Sequence, residues 1–332
     1  MTQATLASHP TAAGPLHAAA SRPLLALQAV GKRYTGHGGT AVHALDGIDL
    51  HVGRHETLGL VGESGCGKST LARAVMRLVS VDEGRIVFDG DDITHRPRRA
   101  LAPQRARMQM VFQDPYASLN PRLTIGRALE EPLRVQGRGG SSAERRERVQ
   151  AMLARVGLRP EMAQRHPHEF SGGQRQRVAI ARALMLEPEL LVCDEAVSAL
   201  DVSVRAQVLN LLLDLREHFG LAGLFISHDL AVVRHMADRV AVMFRGRVVE
   251  LAPRDSLWRT PLHPYTRTLI AATPGLHRPA APVAPAAVAE APAAAEGCAF
   301  RHRCPLASSR CRAEAPPLRP MDGGHQVACH HV

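Results

Sequence analysis

An α/β fold with a mostly parallel sheet is predicted by three features of the sequence. Short apolar runs such as Leu58-Gly59-Leu60-Val61, Leu190-Leu191-Val192-Cys193 and Leu224-Phe225-Ile226 alternate with longer helical patterns. One run leads straight into Gly62-Glu63-Ser64-Gly65-Cys66-Gly67-Lys68-Ser69-Thr70, which has the spacing G-x-x-x-x-G-K-[ST]. Leu71, Ala72, Ala74, Val75 and Leu78 then recur at helical spacing. A strand, a glycine turn and a helix in that order aim backbone N–H groups and the positive helix end at one point, which suits a polyphosphate. Lys68 then reaches the outer phosphates, and the Ser69 hydroxyl ligates Mg²⁺.

The other elements follow in order. Leu24 to Val30 reads as a first strand, with Tyr34 after it. Ala44 to Leu50 alternates apolar and polar residues, as a half-buried strand does. Residues 84–90 form a strand between turn signals, Asp91 to Pro103 a loop or short helix, and Met108 to Phe112 a strand ending at Gln113-Asp114-Pro115. From about Leu123 to Gln164 the pattern is helical, broken at Gly137-Arg138-Gly139-Gly140, with Ser142 as the cap of the second helix. Its charge run, Glu144 to Arg148, reads as a solvated face. Ser171-Gly172-Gly173-Gln174 opens a further helix, and Val204 to Phe219 forms a long amphipathic one. Val240–Phe244 and Val248–Leu251 make a hairpin across Arg245-Gly246.

Composition narrows the class. The chain has 332 residues, 45% of them apolar, enough for a full core with one large domain plus an appendage, or two domains. No stretch approaches the roughly 20 apolar residues of a membrane span. Residues 1–23, rich in Ala, Thr, Ser and Pro, lack the pattern of a secretion signal and read as a disordered tail. The formal net charge is +10, yet only Lys32 and Lys68 are lysines and aromatics are only 3% of residues. That combination looks like codon bias and argues against a base-stacking nucleic-acid surface.

A phosphate loop alone does not choose between kinases, GTPases and transport ATPases. The apolar strand ending in Asp194 delivers a carboxylate of the kind that completes a Mg²⁺ site. The adjacent Glu195 suits a base that orients and polarises the attacking water.

With these motifs the chain resembles the ATP-binding cassette family, over roughly residues 24–275. Ser171-Gly172-Gly173-Gln174 matches the family signature, with Phe170 where Leu is commoner. The resemblance implies ATP and Mg²⁺ as ligands. The implied fold is a P-loop nucleotide-binding domain, with an antiparallel β subdomain and a helical signature subdomain inserted at about 114–170. It also implies that Tyr34 stacks on adenine, and that Gln113 contacts Mg²⁺ and the attacking water and senses a membrane partner. Ser198-Ala199-Leu200-Asp201 crosses the dimer interface, and His228 contacts the γ-phosphate. Ala196-Val197 stands where the family usually has Pro-Thr, a departure that keeps Asp194, Glu195 and Asp201 in register. In the family, two such chains sandwich two ATP molecules head to tail, each signature facing the other chain's phosphate loop.

Residues 113–122, Gln-Asp-Pro-Tyr-Ala-Ser-Leu-Asn-Pro-Arg, and the His263-Pro264-Tyr265 segment look like those of oligopeptide and dipeptide importers. So does the tail set Cys298-x5-Cys304-x6-Cys311-x17-Cys329, which lies beyond an Ala/Pro-rich linker at 276–297 and makes a small Cys-rich appendage of residues 298–332. In that family a similar set is associated with a [4Fe–4S] cluster. Chemistry alone leaves three readings. Disulfides are disfavoured in a reducing compartment, zinc lacks its usual paired spacing, and a cluster needs four thiolates. His325, His330 and His331 are nearby and read as solvent-exposed.

The resemblance therefore implies a peripheral ATPase on the cytoplasmic face of the cell membrane that energises peptide import. Its partners are a second ATPase subunit (a paralogue or the chain itself), two permease subunits and an extracytoplasmic binding protein, with no nucleic acid. The alternatives are another cargo (nickel, glutathione or a sugar), a soluble cassette protein of DNA repair or translation, and a metal-binding regulator.

Overall fold

Strands that are apolar at every position need cover on both faces. Among the described residues the main sheet has eight strands, in the order β11 (Arg319–Pro320), β12 (Gln326–Val327), β10 (Arg247–Pro253), then β9, β3, β8, β7 and β6. Its centre is β9 (Arg239–Phe244), β3 (Thr57–Val61), β8 (Ala222–Ile226), β7 (Leu190–Asp194) and β6 (Met108–Val111). These five are paired in parallel. In β7, Leu190 and Val192 enter one hydrophobic core while Leu191 and Cys193 enter the other. In β8, Leu224 and Ile226 divide from Phe225 in the same way. The sheet thus separates two cores, and the period of two in the strands decides which side chain serves which. Burial drives the Cys193 thiol up to about 12, so it is an inert strand residue.

The computed structural model describes residues 22–35, 41–114, 118–273 and 297–332. The tail before residue 22, the Ala/Pro-rich linker through residue 296, and Pro115 to Ala117 lie outside them. Above one face of the main sheet, a four-stranded antiparallel sheet runs β2-β1-β4-β5. It comprises β1 (Leu25–Thr35), β2 (Ala41–Val52), β4 (Glu83–Phe88) and β5 (Asp91–Asp92). Leu25, Leu27, Ile48 and Ile86 meet the helix after the phosphate loop, α1 (Lys68–Val75), in the second core. The opposite face is covered by helices, among them α5 (Gly172–Leu184), α6 (Val202–Phe219) and α7 (Leu230–Met236).

Four local expectations are corrected. The first strand continues to Thr35, so Tyr34 lies on the strand and not after it. The helix α1 ends at Val75, and Leu78 is 50% exposed, because its backbone has left the helical face that the spacing assumed. Residues 91–103 include the short strand β5, and α2 (Ala102–Arg107) begins at their end. In the helical region, α3 (Ile125–Val135) precedes α4 (Ser142–Arg155), whose cap is Ser141 and not Ser142. Ser141 accepts from the Glu144 N–H while the Glu144 side chain accepts from the Ser141 N–H, a reciprocal box that only position 141 can form.

The C-terminal residues extend the main sheet. The hairpin β9–β10 (β10, Arg247–Pro253) is antiparallel as expected, and β12 (Gln326–Val327) adds to β10 in front of β11 (Arg319–Pro320). A buried carboxylate fixes this join. Glu250 is fully buried and accepts from the Leu262 N–H at 2.7 Å, the His263 N–H at 2.9 Å and His325 Nε2 at 2.6 Å. His325 is 5% exposed, which overturns the expected solvent exposure: the carboxylate needed a donor from outside its own hairpin, and the tail supplies it.

His263 is also buried, and its Nδ1 accepts from the Tyr265 N–H at 3.0 Å to cap α9 (Pro264–Ala271). Burial lowers its pKa to about 4. The unfolded chain therefore binds a proton below about pH 6.5 that the folded chain refuses until about pH 4, so stability falls as pH drops through that window, by roughly 3 kcal/mol in all. His263→Asn keeps a capping acceptor and removes the titration. Urea melts between pH 7 and pH 4 are expected to show a shallower acid loss for this variant than for the wild type.

Candidate nucleotide site

The phosphate loop has the geometry of an anion cradle. Gly67 caps α1 with φ 110 and contributes no side-chain cap, so the first N–H groups of the helix remain directed at the loop. A Cβ at Gly67 would lie 2.2 Å from the Ala44 carbonyl oxygen, so no other residue fits there. Lys68 is 5% exposed, and its ammonium donates to the carbonyls of Gly62 and Glu63, each at 2.8 Å. The Cys66 sulfur lies 3.8 Å away. Burial raises the Cys66 pKa and outweighs the neighbouring ammonium, so the sulfur stays a neutral thiol, the small filler the sequence suggested.

The strand ends β6, β7 and β8 bring the remaining chemistry together. Ser69 Oγ donates to Asp194 Oδ1 at 3.1 Å. Gln113 Nε2 donates to Glu195 Oε2 at 3.1 Å, and His228 Nδ1 lies 3.4 Å from Glu195 Oε1. Glu195 is thus contacted on both oxygens, by Gln113, expected at Mg²⁺ and the attacking water, and by His228, expected at the γ-phosphate. Its backbone is unusual: φ is 50, and its N–H donates to the Ile226 carbonyl at 3.0 Å, turning the chain sharply off β7. Ala196 and Val197, where the family usually has Pro-Thr, are both buried in the core behind this turn.

Asp194 is 6% exposed, and burial raises its pKa above the ordinary carboxylate range despite the Ser69 hydrogen bond. A buried carboxylate beside a hydroxyl is a hard-oxygen pair that fits Mg²⁺, which takes few protein ligands and completes its shell with phosphate and water.

The signature residues, Tyr34 and Asp201 are not part of this contact chain. Ser171 and Gln174 form a capping box at the exposed start of α5, with the Gln174 N–H donating to Ser171 Oγ at 3.3 Å and the Ser171 N–H to Gln174 Oε1 at 3.0 Å. That box uses the Gln174 N–H and not those of Gly172 and Gly173. Gly173 packs α5 close to α6: a Cβ there would meet Val204 Cγ1 at 2.3 Å. Tyr34 is 43% exposed under the Lys32 ammonium, and Asp201 is an exposed residue at the start of α6.

The four tail cysteines are neighbours. The Cys298 N–H donates to the Cys311 carbonyl at 2.8 Å, and Cys311 Sγ lies 3.5 Å from His331 Nε2. Burial raises the pKa of Cys298 and of Cys304, and the other tail thiols push the same way. All six cysteines are free. Among the described residues, however, no group of three or more His, Cys, Asp or Glu side chains is arranged to hold a metal ion, so the expected iron–sulfur or zinc centre has no support in the geometry.

Sequence reasoning missed how the tail meets the loop. Tyr265 was noted only as part of a family segment, yet its hydroxyl accepts from the Glu63 N–H at 2.9 Å. Arg303 donates to both Glu63 carboxylate oxygens. The one local signal was a carboxylate, Glu250, within the apolar stretch 248–253 of β10.

A phosphate loop, a hydroxyl–carboxylate pair and a doubly held glutamate at the ends of parallel strands define a P-loop nucleotide hydrolase. Comparison with known proteins narrows this. The ABC transporter profile matches residues 45–198, and the profile "Oligopeptide/dipeptide transporter, C-terminal region" matches 249–311. A di/tripeptide transport ATP-binding protein of Pseudomonas aeruginosa is 52% identical over 302 residues, covering 90% of this chain and 92% of that protein. An oligopeptide transport ATP-binding protein of Bacillus subtilis is 48% identical, covering 87% and 89%. A dimeric ATP-binding cassette solved in a post-hydrolysis state with ADP and Pi superposes with TM-score 0.64 at 31% identity, covering 69% of this chain and 98% of that one. The chain belongs to the ABC transporter ATP-binding family, in its oligopeptide/dipeptide group, and is an ATP hydrolase.

Lys68→Ala removes the central cation of the cradle. Calorimetry with Mg-ATP is expected to show at least a hundredfold weaker binding (on the order of 3 kcal/mol for a charge-assisted contact to phosphate). Unchanged affinity would mean that the loop does not hold the phosphates.

Proposed function

We propose that this chain binds and hydrolyses ATP to drive import of di- and oligopeptides, as a peripheral subunit on the cytoplasmic face of the membrane. The observation that carries the reading is one chain holding both the Lys68–Ser69–Asp194–Glu195 constellation and a C-terminal region matching that of oligopeptide/dipeptide transporters. Among the described residues no helix is long and apolar enough to cross a membrane. The family resemblance assigns the path for the peptide to two permease subunits. An extracytoplasmic binding protein delivers the substrate.

Hydrolysis needs position and charge more than covalent chemistry. Lys68 and the first N–H groups of α1 bind the β- and γ-phosphates. Ser69 and Asp194 would hold Mg²⁺, and the ion would supply positive charge against the phosphates. Gln113 would supply a further oxygen to the ion. Glu195 accepts a proton from the attacking water, and the hydrogen bond from Gln113 and the contact with His228 aim its carboxylate. Tyr34, exposed near the end of β1, stacks on adenine.

The N–H groups of Gly172 and Gly173, at the start of α5, form a second anion site, which serves the γ-phosphate held by a partner ATPase, a paralogue or a second copy. Asp201 lies on the same shared face. ATP is thus met from both chains, the dimer closes, and hydrolysis releases it. Residues 24–275 form the ATPase domain and 298–332 a tail region beyond the linker. A [4Fe–4S] cluster or zinc in that tail rests on the family resemblance alone.

The test is reconstitution with the permeases and binding protein in proteoliposomes. Peptide supplied with the binding protein on the far side is expected to stimulate ATP hydrolysis and to accumulate in the compartment on the ATPase side of the membrane. Glu195→Gln is expected to bind ATP with near wild-type affinity and to hydrolyse it at least about a hundredfold more slowly. Wild-type turnover in Glu195→Gln would remove its role as base, and stimulation by nickel or a sugar without peptide would reassign the cargo.

A further inference from the structure

We propose that Arg303, in the C-terminal tail, is a positioning residue for the phosphate loop and sets the affinity for ATP. The inference rests on the nucleotide-binding reading above and extends it to a residue 240 positions away in sequence.

Glu63 is the first residue inside the loop, and every polar group it has is engaged. Its N–H donates to Tyr265 Oη at 2.9 Å, and its carbonyl accepts from Lys68 Nζ at 2.8 Å. Its carboxylate accepts two parallel bonds from Arg303, Nη1 to Oε2 at 3.0 Å and Nη2 to Oε1 at 2.8 Å. A two-pronged guanidinium–carboxylate pair fixes orientation as well as charge.

The guanidinium itself is anchored. It lies 5.9 Å from the Phe244 ring centre and 5.6 Å from that of Phe300. Aromatics are scarce in this chain, yet Phe244, Tyr265 and Phe300 form one block with ring centres 4.6–5.5 Å apart. Phe244 ends β9, Tyr265 belongs to the His-Pro-Tyr segment, and Phe300 belongs to the tail. The tail in turn is locked to the main sheet by β12 and by His325 on Glu250. Arg303 therefore sits on a rigid base and grips the loop from outside.

Two consequences follow for ATP. A free Glu63 carboxylate beside a triphosphate would repel it, and Arg303 cancels that charge and turns it away from the phosphates. The same grip holds the Glu63 carbonyl where Lys68 uses it, so Lys68 is oriented before nucleotide arrives. Both effects act on binding and neither touches the reacting atoms, so they change the dissociation constant and KM while leaving kcat alone.

The experiment is a double-mutant cycle on the full chain, read by calorimetry with Mg-ATP and by steady-state hydrolysis. Arg303→Ala is expected to weaken ATP binding about three- to tenfold with kcat unchanged, and Arg303→Lys to restore part of the loss. In a Glu63→Gln background, Arg303→Ala is expected to have little further effect, because its partner charge is already gone. A His325→Gln variant reports how much of any change comes from loosening the tail as a whole, and thermal melts of each variant establish that it is folded. Unchanged affinity in folded Arg303→Ala overturns the proposal. So does a fall in kcat at constant affinity, or an undiminished effect in the Glu63→Gln background. If wild-type protein itself failed to bind Mg-ATP, the nucleotide reading would fail, an outcome separate from all of these.

Discussion

The structure depends on a buried ammonium held by neutral groups. Lys68 is surrounded by two carbonyl oxygens and a thiol that burial keeps protonated. A buried cation is costly without an opposite charge, and carbonyls only orient it. Its charge is therefore available to an anion arriving over the uncapped start of α1. The glycines exist for this arrangement: a side chain at Gly62 would strike the Met243 carbonyl, and one at Gly67 the Ala44 carbonyl.

The sheet order converts that single site into a catalytic one. β3, β8, β7 and β6 are adjacent and parallel, so their C-terminal ends form one rim. The loop leaves β3, His228 follows β8, Asp194 and Glu195 end β7, and Gln113 follows β6. Residues dispersed over the sequence from Ser69 to His228 therefore meet at 3.1–3.4 Å. The cost is local: Glu195 adopts a left-handed backbone that non-glycine residues seldom take, at the position that aims the carboxylate.

Much of this was legible in the sequence because it is local. The loop spacing, the apolar strand before Asp194 and the hairpin at β9–β10 each announce themselves within a dozen residues. Leu78 misled because helical spacing does not reveal where a helix stops. Ser141 and Ser142 are adjacent, and only the reach of Glu144 chooses between them. The contacts of the tail were illegible for a different reason. Glu250 with His325, and Glu63 with Arg303, join residues 75 and 240 positions apart, and nothing local in either partner names the other. The cysteines show the converse. Their pattern suggested a metal centre, while the folded thiols are neighbours without a ligating geometry among the described residues.

The central claim is that the triphosphate, more than the base or sugar, is what this site holds. Calorimetry comparing Mg-ATP with adenosine on the wild-type chain tests it most directly. The account predicts saturable binding of Mg-ATP at micromolar to low-millimolar concentration and at least about a hundredfold weaker binding of adenosine. Equal affinity for the two would contradict it.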